Sequence, residues 1–121
     1  MIGTFDGLVI DCSDPVALGA FYAELLGMRS FDDDPDSVDV IGRGDARPML
    51  SFRRVKDYAP PQWPGQLVPQ QMHIDVKVDD LDVGEAAVLV LGATATGSGT
   101  TVYRVYLDPA GHPFCLIKPN D

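Results

Sequence analysis

The chain repeats itself, and that repetition limits what it can fold into. At an offset of 66, Leu8-Val9-Ile10 falls on Ile74-Asp75-Val76 and Asp14 falls on Asp80. At an offset of 65, Gly27 falls on Gly92. A second helix one residue shorter than the first accounts for the slip. Each half reads as strand, helix and three strands, too little to bury its own sheet, so two such units are expected to join in one curved, cup-shaped mixed sheet of α+β class. The concave side of that sheet is the natural ligand cleft.

The clearest strand lies at Gln71 to Val78. Ile74, Val76 and Val78 alternate with His73, Asp75, Lys77 and Asp79, which is a period of two. The apolar set packs under a helix running from Asp80 to Leu91, apolar at Leu81, Ala86, Val88, Leu89 and Leu91; Asp79 or Asp80 caps it and Gly92 ends it. In the first half a strand at 5–12 leads to Asp14-Pro15, a cap with proline at the first helical position, and a helix to about Leu26 stopped by Gly27. Strands follow at 28–31, 37–41 and 48–55. In the second half they follow near 93–96, 101–107 and 113–118. Asp32-Asp33-Asp34 and Gly97-Ser98-Gly99 read as turns, the latter not a phosphate loop because no helix follows it. The units span 5–55 and 71–119 of a single domain covering 1–121. The aperiodic stretch 56–70, with four prolines, Tyr58 and Trp63, links them.

Composition narrows the function classes. A chain of 121 residues is of single-domain length and buries roughly two thirds of its unfolded surface. A net charge of −9 repels phosphate backbones and anionic lipid headgroups, so neither nucleic acid nor a membrane surface is an expected partner. No apolar stretch approaches the ~20 residues that cross a bilayer, and Met1 to Asp6 does not read as a leader. A cytoplasmic location is the expectation. Two cysteines, Cys12 and Cys115, are too few for a disulfide framework and read as thiols.

The polar strand face holds the candidate chemistry. His73 has three readings: a ligand contact, a hydrogen bond to backbone or Asp75, or a general base oriented by Asp75. Residues two apart on a strand face sit roughly 7 Å apart, so that pair needs a favourable rotamer. Asp11 has the matching parity on the first strand, and Arg53 is the candidate to meet an anionic group. Cys115 is expected to face the cleft, because Phe114 and Leu116 suit the helix side; Cys12 shares its face with Leu8 and Ile10 and reads as core. Trp63 either stacks on a flat ligand or packs on its own domain or a partner. Tyr103 and Tyr106 differ in parity, so one of them faces the cleft.

These features together resemble the vicinal oxygen chelate superfamily of glyoxalases, extradiol dioxygenases and bleomycin-resistance proteins. The residues that carry the resemblance are Asp14-Pro15 through Phe21-Tyr22 with Leu25-Leu26-Gly27, His73-Ile74-Asp75-Val76 with Asp79-Asp80-Leu81-Asp82, Leu91-Gly92-Ala93, and Asp108-Pro109-Ala110-Gly111-His112 before Phe114-Cys115-Leu116. The resemblance implies a divalent metal held by side chains of the first and last strands of both halves. Carried over, the first-half ligand falls on Gly7, the second-half ligand on His73, the last-strand carboxylate on Cys115 and a further position near Met49 or Ser51. One familiar ligand survives where about three are needed. The expectation is therefore a small-molecule binding protein whose cup is lined by His73, Asp75, Arg53, Trp63, Cys115 and Asp11, without the usual metal and with no cofactor. The alternative is a lyase, isomerase or dioxygenase using a divalent metal on His73 and non-standard ligands. The resemblance also implies a homodimer, and open sheet edges favour one.

Overall fold

The computed structural model describes residues 1–119. Strand β1 (Gly7–Cys12) leads into helix α1 (Pro15–Leu26), followed by β2 (Arg29–Asp34), β3 (Ser37–Ile41), a 3-10 turn (Arg43–Asp45) and β4 (Met49–Arg54). After the crossover come β5 (Ile74–Lys77), α2 (Leu81–Leu91), β6 (Thr94–Gly99), β7 (Tyr103–Leu107) and β8 (Pro113–Ile117). The chain divides into two compact units, Met1–Tyr58 and a second from Ala59 onward. Each unit is a βαβββ module with its own mixed four-stranded sheet, in the orders β1-β4-β3-β2 and β5-β8-β7-β6. The architecture is thus α+β with a duplicated unit. In each sheet the first and last strands pair in parallel and the remaining pairs are antiparallel.

Both helices start and stop where the local chemistry directs. The Asp14 carboxylate accepts from the Ala17 amide at 3.2 Å and the Asp80 carboxylate from the Val83 amide at 2.9 Å. Pro15 occupies the first turn of α1. Gly27 and Gly92 end the helices in the left-handed region, with φ of 64° and 111°. Helix α1 has 12 residues and α2 has 11, the expected one-residue difference.

In the first unit, α1 buries Leu18, Phe21 and Tyr22, and the Tyr22 ring stacks on Phe52 at 5.3 Å between centroids. Close approach rests on Gly19, where a Cβ would lie 2.7 Å from Val38 Cγ1. In the second unit the core gathers Val76, Val88, Tyr106, Phe114 and Leu116, with Tyr106 and Phe114 stacked at 5.6 Å. The hydroxyl of Tyr106 donates to Glu85 at 3.0 Å. Arg104 pairs with Asp82 at 2.8 Å and with Glu85 at 3.4 Å, which ties β7 to α2.

Four local expectations change. Strand β5 starts at Ile74, so His73 stands just before it. Gly97-Ser98-Gly99 is the end of β6, where the ladder slips between Ala95 and Gly99 as a bulge, because the glycines take φ of 80° and 148°. The acidic run ends β2 instead of forming a turn, and the turn falls at 35–36. Helix α2 buries only Val88, leaving Ala86 and Leu89 exposed. Its approach to the sheet runs through Gly84, beside Leu116 and Val78, so residues off that line stay in solvent.

Candidate ligand pocket and metal-ligating corner

The second unit's sheet has two faces of opposite character. The row Ile74, Phe114 and Tyr106 across β5, β8 and β7 turns toward α2. The next row, Asp75, Cys115 and Val105, turns the other way, because successive strand residues alternate. A further row on the same side holds Lys77, Ile117 and Tyr103. Asp75, Cys115, Val105, Ile117 and Tyr103 of these rows floor a pocket of about 590 Å³, completed by Trp63 and Gln70 from the crossover, by His73, and by Ser98 and Val102; Lys77 lies outside the lining. Its volume falls in the range of small-molecule sites, and its walls are mostly apolar and aromatic. None of its lining residues is Lys or Arg.

One corner is polar. His73 Nε2 lies 2.9 Å from Cys115 Sγ and 3.4 Å from Asp75 Oδ1, while Nδ1 lies 3.4 Å from Gln70 Oε1. Because His73 precedes β5, its ring is not held at the strand repeat and leans over Asp75. Burial pushes the Cys115 thiol up to about 11, with the Asp75 charge adding to the effect. The thiol therefore keeps its proton at neutral pH.

The donor chemistry fits a divalent metal of the kind the resemblance implies. One ligand atom each from His73, Asp75 and Cys115 lies within 4.8 Å of the other two. Three such donors and an open side match a catalytic-type site. The set differs from the one carried over by position: Gly7 supplies no side chain, and Asp75, at no family ligand position, supplies the carboxylate.

Asp11 and Arg53 lie in the first unit, as register partners on β1 and β4 and both exposed. They are not among the residues lining this pocket. Cys12 is fully buried, its thiol 3.6 Å from the Arg53 carbonyl. Of the two tyrosines, Tyr103 lines the pocket and Tyr106 is buried under α2. Sequence reasoning missed Gln70, Ser98, Val102, Val105 and Ile117. Parity with Cys115 and Tyr103 carries the signal for Ile117 and Val105. Gln70 and Ser98 sit on aperiodic chain and on a bulge, where no period operates.

A duplicated βαβββ unit, with a side-chain-lined pocket on one face of the second sheet and three potential ligand groups at one corner, defines the class of domain. The chain belongs to the glyoxalase-like domain family, whose model matches residues 7–117. Solved structures agree in fold. A glyoxalase/bleomycin resistance protein/dioxygenase family enzyme from Burkholderia phytofirmans PsJN is 17% identical, with a TM-score of 0.69 over 96% of this chain and 98% of that one. TnmS3, an antibiotic binding protein from Streptomyces sp. CB03234, is 23% identical, with a TM-score of 0.58 over 98% of each chain. The oxidase ChaP-H2 is 17% identical, with a TM-score of 0.66 over 99% of this chain and 96% of that one. None of the curated proteins compared with the chain matches it.

Proposed function

We propose that this chain binds a small, flat, neutral or cationic molecule in the pocket of its second unit. The observation that carries the reading is the pairing of an apolar, aromatic wall (Trp63, Val102, Tyr103, Val105, Ile117) with a single polar corner at His73, Asp75 and Cys115. An aromatic ligand stacks on Trp63 or Tyr103 and gives up its hydration along the valine and isoleucine side chains. Asp75 and the absence of Lys and Arg from the lining disfavour an anionic ligand. An antibiotic-binding protein of the same fold supports the reading.

The chain has a single Trp, so emission from Trp63 reports on the pocket directly. Titration with a panel of aromatic natural products is expected to give saturable quenching that Tyr103→Ala weakens. Emission unaffected by every member of the panel would refute the reading.

A second reading, a metal-dependent lyase, isomerase or dioxygenase, is favoured by the convergence of His73, Asp75 and Cys115. A bound divalent ion would supply Lewis-acid polarisation of a substrate oxygen. The chain's own contribution is to present the imidazole with Gln70 fixing its ring, to exclude water along the apolar wall, and to hold the substrate against Trp63 and Tyr103. We also propose a homodimer, consistent with β1, β2, β5 and β6 each being an edge strand of its own sheet. Light scattering at micromolar concentration distinguishes one copy from two.

A further inference from the structure

We infer that the corner formed by His73, Asp75 and Cys115 is a site for a thiophilic divalent cation of the zinc class, selective against magnesium and calcium, with all three ligands drawn from the second unit. The inference rests on the metal-dependent reading above and adds which ion the site takes and which side chains hold it.

The first argument is the shortage of positive charge. An imidazole nitrogen, a carboxylate oxygen and a sulfur meet with separations of 2.9 and 3.4 Å from the nitrogen. Around this point no Lys or Arg lines the pocket. Three potential ligand atoms converge there, an arrangement that a cation completes. The second argument is spacing. Donors at about 2.0–2.3 Å from a tetrahedral centre stand roughly 3.5 Å from one another; the His73–Asp75 separation of 3.4 Å matches that value, and the His73–Cys115 separation of 2.9 Å is shorter, so an ion entering there spreads the two side chains. The third is support from behind: Gln70 Oε1 faces the far ring nitrogen of His73 at 3.4 Å, the placement of an outer partner that fixes the tautomer of a ligating histidine.

Selectivity follows from the donor set. Thiolate and imidazole suit zinc, cobalt and related ions, whereas magnesium and calcium call for oxygen ligands, of which this corner offers one carboxylate. Position alone would lead to a different set, since Gly7 contributes nothing and Cys115 stands where a carboxylate would.

The test uses the full chain, stripped with chelator and titrated with Co²⁺, followed by absorption. The expected result is one ion per chain with a near-ultraviolet thiolate-to-cobalt charge-transfer band. Zn²⁺ displaces the ion and a large excess of Mg²⁺ does not. Cys115→Ser is expected to abolish the band, and Asp75→Asn, at an exposed position that tolerates change, to weaken binding by more than the roughly 10- to 100-fold that loss of an outer-shell partner costs. Circular dichroism confirms that both variants fold. Absence of Co²⁺ and Zn²⁺ binding, a band that survives Cys115→Ser, or displacement by Mg²⁺ would each overturn the inference. Quenching of Trp63 by aromatic ligands in the metal-free protein is read separately, so loss of the metal site and loss of the ligand pocket are told apart.

Discussion

At the scale of single residues, Cys115 carries the most consequence. Its thiol is raised from an ordinary value of 9.0 to about 11, first by burial and then by Asp75. The unfolded chain therefore ionises this group before the folded one does. The associated stability is fully present below pH 9 and is lost as pH rises toward 11. Tyr106, raised from 10.0 to about 12 by burial and by its bond to Glu85, acts in the same sense one unit higher. Thermal melts of the metal-free protein from pH 8 to 10.5 are expected to show a falling midpoint, with a shallower fall in Cys115→Ser; parallel slopes would contradict this account of the thiol. Gln70 acts one step back, through His73. Gln70→Ala is expected to weaken Co²⁺ binding about 10- to 100-fold while keeping the charge-transfer band, because the thiolate ligand remains. Calorimetric titration beside the absorption spectrum separates the two effects.

At the scale of elements, the duplication explains both what the sequence revealed and what it hid. Asp14 and Asp80 cap, Gly27 and Gly92 terminate, and Gly19 and Gly84 let each helix approach its sheet. At Gly19 a Cβ would meet Val38 at 2.7 Å, whereas at Gly84 the nearest atom is a Leu116 methyl at 3.2 Å. Overpacking costs about 1–3 kcal/mol, against about 1 kcal/mol gained from replacing a helical glycine by alanine. Gly19→Ala is thus expected to lower the denaturant midpoint and Gly84→Ala to leave it nearly unchanged. Capping and turn signals act within a few residues, so both helices were legible almost to the residue. The bulge in β6 was not, because Gly97-Ser98-Gly99 is compatible with a turn and only pairing with β7 holds it in the ladder. The grouping of His73 with Asp75 was only half legible. Strand parity put both on one face, but the roughly 7 Å strand repeat ceases to apply once the strand starts at Ile74. The partnership of Asp75 with Cys115 depends on the β5–β8 register, which connects residues 40 apart in sequence.

At the scale of the molecule, two units share one topology but not one chemistry. The first presents Asp11 and Arg53 on neighbouring strands; the second gathers a thiol, an imidazole and a carboxylate beside an aromatic wall. The glyoxalase-like family fixes the scaffold, and side chains on that scaffold decide what is bound. The most direct test of the central claim, that the second unit's pocket is the ligand site, is a nitrogen-15 correlation spectrum of the full chain titrated with the aromatic compound that best quenches Trp63. The account predicts shift changes concentrated at the amides of His73, Asp75, Tyr103, Val105, Cys115 and Ile117 and at the Trp63 indole. Changes centred instead on β1 to β4, with these resonances still, would contradict it.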